Sequence, residues 1–246
     1  MTLEKVDVLE RKKLTRSYPV LVSGYAGCGK SSAVEFLSPE DKARTVIFNF
    51  DHKTLPEDEE SQYFKVKYLN NPDDKKPTDI FQSIDAVRAT IAIPGVDRII
   101  IDTFSGYYKE LDAVCNQRYN GFDVWKAYNA KIGEFLNMLK TETQAHGKFV
   151  YVLAHYKPVK KELGDRKTVS VRGNEWYALI ESEFNTVIEA TVENGEFRFI
   201  ADNSDEFTST RVRRALSPIE TSENSLEELE LLLTGATKEP KDAAKE

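Results

Sequence analysis

With 246 residues, the chain is long enough for one large α/β domain with a substantial buried core. The formal net charge of −7 is unevenly distributed, because residues 220–246 carry eight acidic and three basic side chains, a net of −5, which leaves −2 for the remainder. The acidic total does not exclude a nucleic-acid partner, since binding depends on local charge.

The composition argues against a membrane protein and against a disulfide-stabilised one. The longest apolar run, residues 149–154, is about a third of the length of a spanning helix, and residues 1–5 lack the apolar core of a leader peptide. Two distant cysteines and three histidines suggest neither a disulfide framework nor a structural zinc site. We expect a cytoplasmic protein with no membrane segment.

Residues 1–17 are charged and loosely helical, and we interpret them as an N-terminal arm for packing or self-association.

A glycine-rich loop follows the first predicted strand. The loop has the spacing G-x-x-x-x-G-K-[ST], which is the P-loop pattern. Its glycines let consecutive N–H groups surround a polyphosphate, and the helix that follows presents its positive end to the same anion. The predicted nucleotide-binding residues are Gly24, Tyr25, Ala26, Gly27, Cys28, Gly29, Lys30, Ser31 and Ser32.

Several residues of this loop have individual predicted roles. Lys30 is expected to contact the β- and γ-phosphates as a point charge, and the Ser31 hydroxyl to hold Mg²⁺. Ser32 is either a contact to the α-phosphate or a plain helix-start residue. Cys28 occupies a free position of the pattern, and we interpret it as a small packing residue.

The next elements are a strand, an irregular stretch and a helix. Residues 45–50 are β-branched and aromatic, and this predicted strand ends at Asp51. Residues 64–68 are a candidate strand. Residues 78–93 have helical spacing of apolar side chains, with Thr78 as the predicted N-cap.

A second carboxylate follows the buried-type strand at residues 98–103. Asp102 stands in the Walker B position, on a strand predicted to lie beside the P-loop strand, where it would hold Mg²⁺ through water. Because Thr103 rather than a second acid follows, the group that activates water must come from elsewhere. Asp51 is positioned for that role.

The middle of the chain alternates connectors with regular elements. Residues 105–121 are predicted to be a polar, aromatic connector. Residues 123–143 have the spacing of a helix packed on the sheet, which Gly147 ends. Residues 149–154 are a predicted buried strand that leads into His155.

A basic stretch follows at residues 156–172. We predict a loop here, because Pro158 and Gly164 interrupt regular structure. Two acidic residues share the stretch with six basic ones, which are Lys157, Lys160, Lys161, Arg166, Lys167 and Arg172.

The C-terminal part contains the strongest hairpin signal in the chain, the pair Asn194-Gly195 between two alternating segments. Residues 173–184 are predicted to be helical. Residues 226–233 are predicted to form an acidic helix, followed by a disordered tail. The predicted organisation is an arm (1–17), an ATPase core (18–218), and an acidic helix with its tail (219–246).

These motifs together resemble the RecA-like core, and more closely the phage-encoded RecA-core ATPases of single-strand annealing and recombination. The resemblance implies an α/β fold of the RecA-like P-loop NTPase type: a mostly parallel central sheet flanked by helices, with a C-terminal β-hairpin and an acidic tail. It rests on the P-loop, on Asp51-His52 where RecA proteins have a Glu-His pair, on Ile101-Asp102-Thr103, and on Ala154-His155-Tyr156-Lys157.

The resemblance implies an ATPase that uses ATP and Mg²⁺, with Lys30, Asp51 and His155 as catalytic residues. His155 stands where RecA proteins have a glutamine that senses the γ-phosphate, and an imidazole can make the same hydrogen bond; the alternative is an ordinary histidine at the end of a strand. Asp51 is one methylene shorter than the glutamate of RecA proteins, which predicts slow hydrolysis.

The resemblance also implies binding of single-stranded DNA by residues 105–121 and 156–172. The basic side chains would contact phosphates and three tyrosines, Tyr107, Tyr108 and Tyr156, would stack on bases. Further implied partners are other copies of the chain, in a ring or filament, and a single-strand-binding protein, in the host cytoplasm if the chain is phage-encoded. Three arginines match positions that reach the neighbouring protomer's nucleotide: Arg211, Arg213 and Arg214.

Two other functions remain open from the sequence. One is a nucleotide-gated adaptor or loader with little turnover. The other is a small-molecule kinase, although such enzymes need an arginine-rich lid and the basic stretch here is mostly lysine. The basic stretch and the three arginines also fit solvated surface.

Overall fold

A computed structural model describes residues 19–51, 65–67, 80–161, 164–169, 180–203 and 210–234. These residues form an α/β fold in which helices flank a mostly parallel sheet. The strands are β1 Val20–Gly24, β2 Thr45–Asn49, β3 Lys65–Lys67, β4 Arg98–Asp102, β5 Phe149–Lys161, β6 Gly164–Val169, β7 Thr186–Glu193, β8 Glu196–Ala201 and β9 Ile219–Glu220. Their order is β3-β2-β4-β5-β1-β7-β8-β9, and β6 pairs with β5 off this path.

The strands from β3 to β7 in this order are parallel. Strands β1, β2 and β4 are buried along their whole length, which is typical of apolar runs covered on both faces. The strands predicted at residues 45–50, 64–68, 98–103 and 149–154 are confirmed. The predicted adjacency of β4 and β1 is wrong, because β5 lies between them; crossover connections, not sequence order, set the neighbours in a parallel sheet.

The α-helices of the described residues are α1 Pro39–Ala43, α2 Ser83–Ile91, α3 Phe104–Arg118, α4 Phe122–His146 and α5 Leu226–Thr234. Short 3₁₀ helices lie at Ser32–Phe36, Ile80–Gln82, Glu181–Glu183 and Arg214–Leu216. The predicted helix at residues 123–143 is confirmed, and Gly147 ends it in the left-handed conformation at φ 63°.

Two predictions of irregular structure are wrong. Residues 105–121 are mostly the helix α3, in which Tyr107, Leu111 and Cys115 recur every fourth residue on a buried face. Residues 156–169 are mostly a β-hairpin, because β5 continues beyond its buried part and pairs antiparallel with β6, from Tyr156 opposite Val169 to Lys161 opposite Gly164. Gly164 therefore starts a strand instead of interrupting regular structure.

The hairpin predicted around Asn194-Gly195 is confirmed as β7 and β8, and both turn residues have positive φ. The predicted acidic helix is α5, which buries Leu226 and Leu229. Two apolar clusters form the core. Leu21 belongs to one and its neighbours Val20 and Val22 to the other, so the clusters cover opposite faces of the sheet.

Within the described ranges, no helix is long and apolar enough to cross a membrane. The predicted arm at residues 1–17, the N-cap Thr78, the helical segment 173–179 and the tail 235–246 lie outside the described residues.

Candidate functional site

The functional residues predicted at strand ends lie together at one edge of the sheet. Gly24 at the end of β1 lies opposite His155 on β5, and Asn49 at the end of β2 lies opposite Asp102 at the end of β4. A cavity of about 340 Å³ opens at this edge. Its lining comprises Ala26, Gly27, Gly29, Lys30, Ser31, Ser32, Asp51, Thr103, His155 and Phe197. In open α/β sheets, ligands bind outside the carboxyl ends of the strands, which is where this cavity lies.

The glycine-rich loop, residues 24–31, needs glycine for two separate reasons. Gly27 and Gly29 have φ of 80° and 79°, a conformation that other residues adopt only with strain. At Gly24, a Cβ atom would lie 2.5 Å from the Ala190 carbonyl oxygen and 2.6 Å from Cys28 Sγ. Cys28 is buried against this turn, which agrees with its predicted packing role.

Lys30 is buried at the centre of the loop and is only 5% exposed. Its Nζ donates hydrogen bonds to the carbonyl oxygens of Gly24 and Tyr25, at 2.9 and 2.8 Å, and lies 3.4 Å from Cys28 Sγ. Burial lowers the pKa of Lys30 below its usual value, although the charges of Asp102 and Asp51 act in the opposite direction. The ammonium group therefore lies in a site that an anion would stabilise.

Asp51 lies just beyond β2, and its backbone is fixed at the end of β4. The amides of Phe50 and Asp51 both donate to the Asp102 carbonyl oxygen, at 2.6 and 3.3 Å. On the side chain, Asp51 Oδ1 accepts a 2.8 Å hydrogen bond from the Thr103 hydroxyl, and Oδ2 lies 3.6 Å from His155 Nε2. Two of the three predicted catalytic residues, Asp51 and His155, are therefore neighbours in the lining of the cavity.

Oxygen atoms suited to Mg²⁺ are present beside this cavity. Ser31 lines it, and the carboxylate of Asp102, 3% exposed, is close enough to Lys30 to affect its pKa. The described residues contain no cluster of three His, Cys, Asp or Glu side chains that would hold a metal. A hydroxyl and one carboxylate still fit Mg²⁺, which keeps several waters and takes its other ligands from phosphates.

Two residues distant in sequence support the loop, and sequence analysis missed both. Asn224, which precedes α5, donates to the Gly29 carbonyl oxygen at 2.6 Å. Phe197, on β8, is 40% exposed and lines the cavity beside Gly29. Neither residue belongs to a motif. Both lie near the loop because the C-terminal strands β7, β8 and β9 extend the sheet beyond β1.

The basic hairpin β5–β6 begins at Tyr156, directly after His155. The backbone of Lys157, Lys160 and Lys161 lies in β5 and that of Arg166 and Lys167 in β6; Arg172 lies outside the described residues. Lys167 forms a 2.6 Å ion pair with Glu189 of β7, whose side chain is 3% exposed. The Lys167 ammonium also lies 5.9 Å from the ring centroid of Tyr25, so β6 contacts the glycine-rich loop.

The three tyrosines proposed to stack on bases are not available for stacking. Tyr107, Tyr108 and Tyr156 are 0%, 4% and 7% exposed. The first two belong to the buried face of α3, where Tyr107 stacks on Phe135 and Tyr108 packs edge-on against Phe104. Tyr156 packs edge-on against Tyr25. The prediction is wrong because polar neighbours in the sequence do not make a tyrosine exposed: helical spacing buries Tyr107 and Tyr108, and Tyr156 is buried on β5.

The three arginines near residue 211 lie apart from the cavity. The backbone of Arg211 forms an antiparallel bridge with Val187 on β7, and Arg213 and Arg214 begin a 3₁₀ helix. All three side chains are exposed and none lines the cavity. Their predicted role toward a neighbouring protomer stays a prediction.

Comparison with models of known protein families, and with curated proteins, gave no match. Function depends on the residues of a site and not on the fold alone.

Proposed function

We propose that the chain is a RecA-like P-loop ATPase that binds ATP with Mg²⁺ and couples its hydrolysis to binding of single-stranded DNA. One observation carries the proposal: the glycine-rich loop, Asp51 and His155 line the same cavity although they are distant in sequence. Phosphate binding, water activation and γ-phosphate sensing need these groups within one small volume.

The loop supplies the phosphate site. Lys30 is buried within it and donates to two of its carbonyl oxygens, so it must leave at least one of them to contact a β- or γ-phosphate. An incoming polyphosphate would replace these neutral acceptors with charged ones, and charge-assisted hydrogen bonds are the stronger kind. The binding energy therefore comes with a local rearrangement of the loop.

Ser31 and Asp102 would hold the Mg²⁺ ion that accompanies the nucleotide. When bound, the ion neutralises charge that develops on the phosphoryl oxygens. Asp102 is buried and fixed at the end of β4, so its carboxylate needs little ordering on binding.

Asp51 is the group best placed to orient the attacking water. Its Oδ1 is held by Thr103, which leaves Oδ2 on the side of His155. A general base must reach the water directly, and both side chains line the cavity where a γ-phosphate would lie. Removal of such a base usually lowers turnover by about 10²-fold or more.

The link to DNA is structural continuity. β5 carries His155 at the cavity and continues without a break into the basic hairpin. A shift of His155 on γ-phosphate binding would therefore move the strand that bears Lys157. Coupling of this kind is reciprocal, so DNA would tighten ATP binding by the factor by which ATP tightens DNA binding.

The test of nucleotide binding uses Lys30→Ala, with Lys126→Ala as the matched control because Lys126 is an exposed lysine on α4. We expect Lys30→Ala to lose ATP affinity by at least about 10-fold in equilibrium titration, while Lys126→Ala binds like the wild type. Near-normal ATP affinity of Lys30→Ala would contradict the P-loop assignment. Binding without turnover in the wild type would instead favour a nucleotide-gated adaptor.

A further inference from the structure

We propose that the first turn of α3 is a positioning element for the hydrolysis step, in which Thr103 orients the Asp51 carboxylate and Ser105 fixes the position of His155. This inference rests on the proposed function, since it assigns roles toward the two side chains that act on water and γ-phosphate. Thr103 and Ser105 are positioning residues because they act through these side chains.

The direction of the Thr103 hydroxyl proton follows from its two hydrogen bonds. The amide of Gly106 donates to Thr103 Oγ1 at 3.0 Å, which caps the helix. An amide can only donate, so the hydroxyl proton is left for its other partner, Asp51 Oδ1, at 2.8 Å. Thr103 is 1% exposed, so no bulk water competes for that proton.

The hydrogen bond from Thr103 determines which carboxylate oxygen of Asp51 faces the proposed position of the attacking water. With Oδ1 engaged by Thr103, rotation of the carboxylate about χ2 would break a partly buried hydrogen bond. Oδ2 is then the oxygen directed toward His155, at 3.6 Å from its Nε2, on the side where a water would be held. The short aspartate thus has a fixed orientation.

The same turn holds His155 through its backbone. Ser105 Oγ accepts a 2.9 Å hydrogen bond from the His155 amide, and Ser105 is 2% exposed. β5 and β1 pair in register at this point, with His155 opposite Gly24. One helical turn therefore sets the distance between the proposed base, the proposed sensor and the glycine-rich loop.

Gly106 allows this turn to approach Asp51 closely. A Cβ atom at position 106 would lie 2.6 Å from Asp51 Oδ1 and 2.7 Å from the Phe50 carbonyl oxygen. These distances are far inside normal contact, so an alanine here must displace Asp51 or the helix. Gly133 in α4 is the matched control, because a Cβ atom there meets nothing within 4 Å.

The experiment measures ATP affinity, kcat, KM and the melting temperature of Thr103→Val, Thr103→Ser and Asp51→Asn, and of the double variant Thr103→Val/Asp51→Asn. We expect Thr103→Val to lower kcat by at least about 10-fold with ATP affinity within about threefold of the wild type, since a small misplacement of a catalytic group is sufficient for such a loss. Thr103→Ser keeps the hydroxyl and should restore kcat to within about threefold.

The double variant separates positioning from a general structural effect. If Thr103 acts through Asp51, adding Thr103→Val to Asp51→Asn lowers kcat no further. A similar loss of kcat in both backgrounds, or an unchanged kcat in Thr103→Val, would overturn the inference. ATP binding by the wild type without any turnover would instead contradict the hydrolysis part of the proposed function, which is a distinguishable result.

A second pair of variants keeps the inference testable if Thr103→Val does not fold. Gly106→Ala is expected to lower kcat by at least about 10-fold while ATP still binds, and Gly133→Ala to leave kcat unchanged. Equal kcat for the two alanine variants would contradict a role of this turn in placing Asp51.

Discussion

Two glycines of the glycine-rich loop share a backbone conformation and differ in their surroundings. Gly27 and Gly29 have φ of 80° and 79°, but a Cβ atom at Gly27 would meet nothing within 4 Å. At Gly29 it would lie 2.7 Å from both Asn224 Nδ2 and the Phe197 ring. The P-loop pattern predicts the positive φ of Gly29. Only the fold explains the lack of space around it, because Asn224 and Phe197 are distant in sequence.

We predict that alanine at each position lowers the free energy of unfolding by about 1–2 kcal/mol through backbone strain alone. Gly29→Ala should lose about 1–3 kcal/mol more, because the added methyl group overpacks the contact with Asn224 and Phe197. Denaturant unfolding of both variants measures the difference. Equal destabilisation would show that the two distant residues do not press on the loop.

Lys30 gives the site a distinctive pH dependence. Burial lowers its pKa below the usual value of 10.5 in the free protein, whereas phosphate charges would favour the ammonium form and raise it in the complex. ATP affinity should then be highest below the free-protein pKa and fall as the pH rises from that pKa toward the pKa of the complex.

Titration of ATP binding across the alkaline range tests this expectation. Lys30→Arg is the control, since a guanidinium does not deprotonate there, and its affinity should be flat over the same range even if weaker. An identical alkaline decline in both proteins would assign the effect to another group.

At the residue scale, the sequence predicted the side chains at strand ends and not those that hold them. The P-loop pattern predicts Lys30, the ends of two predicted strands indicate Asp51 and Asp102, and the resemblance to RecA proteins implies the role of His155. In the sequence, Thr103 is distinctive only as a residue that is not an acid after Asp102. Its hydrogen bond to Asp51 requires the pairing of β2 with β4, which no local pattern specifies.

At the element scale, regular apolar runs were predicted well and polar regular elements poorly. α3 carries lysine, asparagine and arginine on its exposed side, so its polar composition obscures the buried spacing of Tyr107, Leu111 and Cys115. β5 extends beyond its buried part into a basic segment that pairs only with β6 among the described strands, where side chains need not be apolar. Residue composition alone is therefore a poor predictor of a helix or strand that has only one buried face.

The charge of the basic hairpin predicts how the affinity for single-stranded DNA depends on salt concentration. If about four of its basic residues contact phosphates, binding of single-stranded DNA should have a log–log salt slope of about −3 per protomer. Lys160→Ala/Lys161→Ala should make the slope shallower by about 1.4, with similar losses of affinity for all sequences and no change in ATP affinity without DNA.

Salt titrations of DNA binding measure these slopes, and Lys126→Ala on α4 is the control that removes an exposed lysine elsewhere. The control slope should match the wild type. An unchanged slope in the double variant would mean that these lysines are solvated surface, and the adaptor function would then be the better proposal.

At the scale of the whole molecule, a buried ion pair fastens α5 to the base of the sheet. Arg98, at the start of β4, is 2% exposed and donates from Nε and from one terminal nitrogen to the two oxygens of Glu230, at 2.7 and 2.8 Å. Asp41 lies 3.4 Å from the same guanidinium. The acidic helix, predicted from sequence as an appendage, thus packs on the core.

We predict that Glu230→Gln lowers the free energy of unfolding by about 3 kcal/mol, because it leaves a buried guanidinium without its bidentate partner. Glu134→Gln is the matched control; Glu134 pairs with Lys131 on the solvated side of α4, and its removal should change stability by less than about 1 kcal/mol. Equal, small effects in denaturant unfolding would show that the Arg98 pair does not hold α5 in place.

The fold class was predictable because four apolar runs, each ending in a glycine or polar residue, alternate with helical spacing. The strand order was not, since it depends on which crossovers the chain makes. The insertion of β5 between β1 and β4 places His155 directly opposite Gly24. His155 and the glycine-rich loop therefore line the same cavity.

ATP turnover of the full chain and of Asp51→Asn, each measured with and without single-stranded DNA, is the most direct test of the proposed mechanism. The wild type should hydrolyse ATP, slowly alone and faster with DNA, and Asp51→Asn should bind ATP normally while losing at least about 10²-fold in turnover under both conditions. Turnover of Asp51→Asn within about twofold of the wild type would contradict the assignment of Asp51 and, with it, the mechanism proposed for this cavity.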